Sequence, residues 1–388
     1  MFVVRRRTQE RTLAMPSTSI HGTPDYAELA NLGLRPEDVI YFSSNINPYG
    51  PPPAVVEAVR AYVSRETLAR YPDSLSLALR QKLARHYDLP TSAVLVGNGT
   101  ADLMWLIAHR FAPGKQAAIL APTFSEYADG VVMAGGHPTE IVLPGWQRIG
   151  PQRYAPSPIS LAQTCDALAA ASPWLVFLCN PNNPTGEYFS PEEVRQLRAA
   201  APHALWVVDE AYSAFTAESW SASRWVMDGG LIVLHSMTKD FALGGLRLGY
   251  LLASPYLVEQ LQAVQPPWNV NGLAQFAGEA ALDELAWRTQ TLTKLRQDLA
   301  DLRQALMACG YAPCETTTNY VMLPVGDAAS MRAALLKERM IVRDCTSFGL
   351  PEYIRIAVQR AEENQRLLDV LCRLAQTRRG VASHVQNF

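Results

Sequence analysis

The sequence lacks a long apolar run. Nowhere in its 388 residues does an uninterrupted hydrophobic stretch reach the roughly 18 to 20 residues that cross a bilayer. Trp174 to Cys179 and Leu231 to Leu234 have the length of core strands instead. A charge excess is missing too: 34 Lys and Arg face 36 Asp and Glu, a formal net charge of −2, and no block of like charge runs beyond Arg5-Arg6-Arg7. Nucleic acid and membrane surfaces are thereby excluded as main partners. The six cysteines form no C-x-x-C pair, which argues against a zinc site or a disulfide framework and predicts reduced thiols in a cytoplasmic protein. Residues 1–14 carry arginines but no apolar segment of a secretory signal, and they read as a disordered extension or as sequence ahead of a true start at Met15.

What is present, from about Thr91 to Ser254, is an alternation of strand-length apolar runs with helical patterns. Ala93–Val96, Ala117–Leu120, Trp174–Cys179, Leu205–Val208, Leu231–Leu234 and Leu248–Leu252 read as strands. Between them, Leu103, Ile107 and Phe111 repeat at helical spacing, and Pro191–Ala201 has Ser190 as a cap and Pro191 near its start. This rhythm predicts an α/β fold whose large domain has a mostly parallel sheet flanked by helices, with ligands at the carboxyl ends of the strands. After Asn271 the pattern turns helical through Gly310. Strands at Asn319–Leu323, Ile341–Arg343 and Tyr353–Val358, with helices Met331–Arg339 and Ala361–Ala375, then predict a smaller α+β domain. The expected division is an arm at 15–53 packing on the small domain, a large domain at 54–290, a small domain at 291–376 and a tail at 377–388.

Four features fall just after predicted strands. Ser236-Met237-Thr238-Lys239, followed by Gly244-Gly245-Leu246-Arg247, offers two hydroxyls, a lysine and an arginine in one turn. A lysine partly desolvated beside an arginine has a lowered pKa, which suits its amine to Schiff-base chemistry. Gly97-Asn98-Gly99-Thr100-Ala101 is a glycine turn into a helix start, able to hold a phosphate on the Thr100 and Ala101 amides or to serve as a plain turn. Asn180 to Gly186 is a proline-fixed loop that presents Asn183. Asp209 ends a nearly all-apolar strand, with Tyr212 three residues on, and an unpaired carboxylate there is costly enough to predict a cation facing it.

Together these residues resemble the fold-type I enzymes dependent on pyridoxal 5′-phosphate, in the class I/II aminotransferase group. Ser236, Thr238, Lys239 and Arg247 match the S-x-[ST]-K-x(7)-R pattern in order and spacing, within a likeness that covers nearly all of residues 20 to 375. The resemblance implies an aspartate-aminotransferase-like fold, in which Lys239 carries the cofactor. Arg247, Ser236, Thr238 and the Thr100 and Ala101 amides would bind its phosphate. Asp209 would pair with the ring nitrogen, Tyr212 and Asn183 would hold the 3′ oxygen, Phe124 would stack on the ring, and Arg355 would grip the substrate carboxylate. Lys239, Asp209 and Tyr212 form the implied catalytic set, and no metal is implied.

Within the group the stretches His21-Gly22, Phe42 to Pro48, Arg70-Tyr71-Pro72-Asp73, Pro267 to Asn271 and Val342 to Cys345, with Thr238 directly before the lysine, resemble the L-threonine-O-3-phosphate decarboxylases of cobalamin synthesis most, and the histidinol-phosphate aminotransferases next. On that resemblance His21, Asn183, Arg343 and Arg355 contact substrate, and Tyr71 reaches the neighbouring cofactor of a homodimer. The main expectation is therefore decarboxylation of L-threonine O-3-phosphate to 1-aminopropan-2-yl phosphate, and the alternative is a histidinol-phosphate type aminotransferase using 2-oxoglutarate. Three departures stand against the first: Thr23-Pro24 follows His21-Gly22 where the decarboxylases have glycine and asparagine, the loop from Cys345 to Arg355 is shorter than theirs, and Tyr212 matches the aminotransferase form.

Overall fold

A computed structural model describes residues 26–151 and 153–385, those from 377 on as backbone helix only. The arm supplies β1 (Ile40–Tyr41). Then come β2 (Val94–Gly97), β3 (Gln116–Ala121), β4 (His137–Val142), the hairpin β5 (Trp146–Gly150) and β6 (Arg153–Pro156), β7 (Leu175–Cys179), β8 (Leu205–Asp209), β9 (Leu231–Ser236) and β10 (Gly249–Ala253). The C-terminal part holds β11 (Tyr320–Pro324), β12 (Met340–Ile341), β13 (Arg343–Asp344) and β14 (Tyr353–Ala357).

A seven-stranded sheet, ordered β2-β10-β9-β8-β7-β3-β4, is parallel except at β10, which runs against both neighbours. Both faces are covered, and the side-chain period of two shows it. Val176, Leu178, Trp206, Val208 and Val233 pack into one buried cluster, while Leu175, Phe177, Leu205, Val207, Ile232 and Leu234 pack into the other. That is why the central strands read as continuous apolar runs rather than as alternating ones. β4 escapes such a reading because its residues His137-Pro138-Thr139-Glu140 are polar and half-exposed, as suits an edge strand.

Helix Pro191–Ala200 begins as its sequence predicts: the Ser190 side chain accepts from the Glu193 N–H and Glu193 reaches back to the Ser190 N–H. The expected single strand Ile341–Arg343 is two. β12 pairs with β1 of the arm, β13 pairs with β14, and Val342 is the change-over. Through β1 and the Ala357 N–H to Phe42 carbonyl bond of 2.7 Å, the arm packs on the three-stranded sheet β11-β14-β13. The last helix runs from Ala361 through Val385, well past its expected end and into the stretch expected as a tail.

The expectation of six free thiols is corrected at one pair. Cys309 and Cys372, 63 residues apart, are joined by a disulfide that ties the end of helix Leu285–Ala308 to the last helix. Sequence spacing carried no sign of it, because the pairing follows from how two helices distant in the chain pack. No helix among the described residues is long and apolar enough to cross a membrane, and no His/Cys/Asp/Glu group there could hold a metal.

Candidate active site

The parallel strands deliver their carboxyl ends to one edge of the sheet, and β10, being reversed, begins there. Asp209 closes β8, Ser236 closes β9, Gly97 closes β2 and Gly249 opens β10. At this edge lies a cavity of about 570 Å³, walled by Thr100, Ala101, Phe124, Asn183, Asp209, Tyr212, Thr238, Lys239, Arg247, Arg343 and Arg355. Eleven of the fourteen residues expected from sequence thus meet in one space. Ser236 stands just behind, its hydroxyl 2.6 Å from that of Thr238. Tyr71 does not line the cavity; it is 80% exposed and packs its ring on Trp268 at 4.7 Å. His21 lies outside the described residues.

The electrostatics are lopsided. Lys239, Arg247, Arg343 and Arg355 share the wall with two acids, Asp209 and Glu126, and among the described residues no carboxylate forms an ion pair with Lys239, Arg247 or Arg355. Burial, with the Arg355 and Arg247 guanidiniums beside it, pulls the Lys239 amine down to about 8 against the opposing pull of Asp209. Such a lysine is a nucleophile near neutral pH. Arg355 is buried; one Nη donates to the Asn183 side-chain oxygen and the other to the Ser43 carbonyl at 2.9 Å, while its Nε has no partner. A buried guanidinium without a counter-ion, with an unfilled donor, is shaped for an incoming anion.

At the other end of the cavity the helix Gly99–Phe111 points its N-terminus inward. Two glycines bring the parts close. A Cβ on Gly99, whose φ is +83°, would sit 2.8 Å from an Arg247 Nη, and one on Gly249 would sit 2.7 Å from the Thr100 backbone N. The arginine, the Thr238 hydroxyl and the first amides of the helix therefore meet on one cavity wall, a set of donors able to hold a phosphate with the helix dipole assisting.

Asp209 was expected to face a cation: it forms no ion pair among the described residues, but the Lys239 charge acts on it across the cavity. One oxygen accepts from the Ala211 N–H at 2.9 Å and the other from the Tyr127 phenol at 2.8 Å, and burial raises the carboxyl above its ordinary value. Tyr212 is buried, its hydroxyl accepting from Asn45 at 3.2 Å, and burial pushes its phenol up to about 12. The arm therefore reaches the cavity with Ser43, Ser44 and Asn45, which sequence reasoning placed in the arm without a role. Tyr127 went unread as well; it stands in the first turn of the helix Glu126–Met133, three residues after Phe124. These donors fit a phosphorylated pyridine: a cradle for the phosphate, a carboxylate for the ring nitrogen, a phenol and an amide for a ring oxygen, and a lysine for the aldehyde.

This fold and this site define a fold-type I enzyme of the pyridoxal 5′-phosphate class. The chain belongs to the family described as aminotransferase class I and II, whose model matches residues 37–371, and it depends on pyridoxal 5′-phosphate. A histidinol-phosphate aminotransferase from Symbiobacterium thermophilum is 33% identical over 358 residues, 91% of this chain and 94% of that protein. The L-threonine-O-3-phosphate decarboxylase of Porphyromonas gingivalis superposes with a TM-score of 0.73 at 26% identity, covering 86% of this chain and 99% of that one. The histidinol-phosphate aminotransferase of Sinorhizobium meliloti, solved in complex with pyridoxal-5′-phosphate, shares the fold with a TM-score of 0.75 at 22% identity over 86% of this chain and 90% of its own.

Proposed function

We propose that this enzyme is an aminotransferase of the histidinol-phosphate type, exchanging an amino group between a phosphorylated amine and 2-oxoglutarate. The observation that carries the reading is the surplus of cavity cations: with Arg247 given to the cofactor phosphate, Arg343 and Arg355 remain for the anionic groups of the substrates. 2-Oxoglutarate brings two carboxylates and histidinol phosphate brings a dianionic phosphate, so one arginine pair serves both half-reactions. The identity to the Symbiobacterium enzyme supports this alternative over the decarboxylation expected first from sequence, and so does Tyr212.

When bound, the cofactor supplies an aldehyde and an electron-withdrawing ring that stabilises negative charge at the substrate carbon. In this reading Lys239 holds the cofactor until substrate arrives, and its Nζ then takes the proton from that carbon. Asp209 keeps the ring nitrogen protonated, Asn183 and Tyr212 hold the ring oxygen, and Phe124 covers the ring. Arg355 fixes the anionic group so that the C–H faces Lys239. A hundredfold preference for one bond over another requires only about 2.7 kcal/mol, within reach of one or two charge-assisted hydrogen bonds.

The reading includes a homodimer in the cytoplasm. Tyr71, exposed and packed on the exposed Trp268, would pack against a second copy and reach its cofactor. The second reading, decarboxylation of L-threonine O-3-phosphate, keeps the support of the Porphyromonas structure. A panel of histidinol phosphate, L-threonine O-3-phosphate and common amino acids, each with 2-oxoglutarate and scored for both glutamate and carbon dioxide, separates the two. Glutamate, or pyridoxamine phosphate in the half-reaction, without carbon dioxide is expected from histidinol phosphate, and carbon dioxide from L-threonine O-3-phosphate would reverse the order.

A further inference from the structure

The surroundings of Asp209 contain one group that the reading above does not use. Tyr127 is 1% exposed and lines the same cavity; its phenol donates to Asp209 Oδ2 at 2.8 Å, and Oδ1 is taken by the Ala211 N–H. Its ring is held on two sides, stacked on Phe177 at 5.2 Å with planes 17° apart and meeting Phe124 edge-on at 5.8 Å. The phenol oxygen is therefore held between Asp209, to which it donates, and the Cys179 thiol.

We propose that Tyr127 is a positioning residue that keeps Asp209 ionised and weakly basic, so that the proton between Asp209 and the cofactor ring nitrogen rests on the nitrogen. This rests on the reading in which Asp209 pairs with that nitrogen. A donor to a carboxylate stabilises its charged form and weakens it as a base. Burial works the other way on Asp209, and the phenol offsets it. Tyr127 cannot exchange roles, because burial and the Asp209 charge hold its own acidity far below the working range and keep the O–H a donor. One proton is at issue. Without the phenol it moves toward Oδ2, the ring becomes neutral, and its pull on electrons weakens.

The test uses the holoenzyme loaded with cofactor carrying ¹⁵N at the ring nitrogen, comparing wild type, Tyr127→Phe and Asp209→Ala by ¹⁵N chemical shift and by steady-state kinetics. Tyr127→Phe keeps the ring and its stacking partners and removes only the donor. The expected shift is that of a pyridinium in wild type and of a neutral pyridine in Asp209→Ala, with Tyr127→Phe moved from the first toward the second. For Tyr127→Phe, kcat falls by about ten- to a hundredfold while KM changes by less than about threefold. A Tyr127→Phe enzyme with the wild-type shift and kcat, beside an Asp209→Ala enzyme whose shift has moved, would overturn the inference and leave the Asp209 reading intact. If Asp209→Ala also keeps the wild-type shift, Asp209 is not the partner of the nitrogen and both fall. Loss of cofactor from Tyr127→Phe would make the residue part of the binding site and would overturn the positioning role.

Discussion

Arg343 and Arg355 stand directly opposite each other on β13 and β14, both buried, with their guanidiniums facing one cavity. Like charges paired across strands are destabilising, and burial together with Arg355 pulls Arg343 down to about 10. Phe348 lies under both, 5.0 Å from the Arg343 guanidinium carbon and 6.0 Å from that of Arg355, and Tyr320 lies 5.1 Å from the latter. Aromatic faces offset part of the repulsion. A bound anion would offset more, which is the role the proposed function gives the pair.

Arg355→Ala is accordingly expected to keep the cofactor and to lose about ten- to a hundredfold in kcat/KM toward anionic substrates, the worth of one or two charge-assisted hydrogen bonds. Cofactor absorbance and steady-state kinetics on the purified variant check this. Loss of the cofactor would place Arg355 at the wrong group.

Inorganic phosphate should raise the melting temperature of the cofactor-loaded wild type and raise it less in Arg343→Ala. Thermal scans across a phosphate series measure the difference. Equal stabilisation of both proteins would remove Arg343 from the anion site.

Lys239 reacts as its neutral amine. With its pKa at about 8 rather than the ordinary 10.5, the reactive fraction grows as pH rises to about 8 and is nearly complete a unit above. The rate at which cofactor-free enzyme recombines with pyridoxal phosphate should follow that curve. A rate still climbing tenfold per pH unit at pH 9.5 would show a lysine of ordinary acidity.

Gly99→Ala places a Cβ 2.8 Å from an Arg247 Nη at a φ of +83°, so it strains the turn and displaces the arginine together. Cofactor affinity should fall by about tenfold or more while the fold persists, as read by fluorescence titration and circular dichroism. An unchanged affinity would mean that the turn does not carry the phosphate.

Much of this site was legible because its chemistry sits at strand ends, where an apolar run stops and polar residues begin abruptly. Lys239, Asp209 and Asn183 each follow such a run, and the sheet then brings them together without further instruction from sequence. What could not be read depends on neighbours from elsewhere in the chain. Tyr127 contacts Asp209 82 residues away, and Asn45 contacts Tyr212 167 residues away. The division of Ile341–Arg343 into two strands is set by two partners, β1 and β14, and not by its own residues. The edge strand β4 carries no apolar signal because half of it faces outward.

The central claim is that Lys239 carries the cofactor. Borohydride reduction of the loaded enzyme followed by peptide mass spectrometry tests it most directly. The account predicts a pyridoxyl phosphate group fixed on the peptide containing Lys239, and absent from Lys239→Ala. A label on another lysine, or none in the wild type, would contradict it.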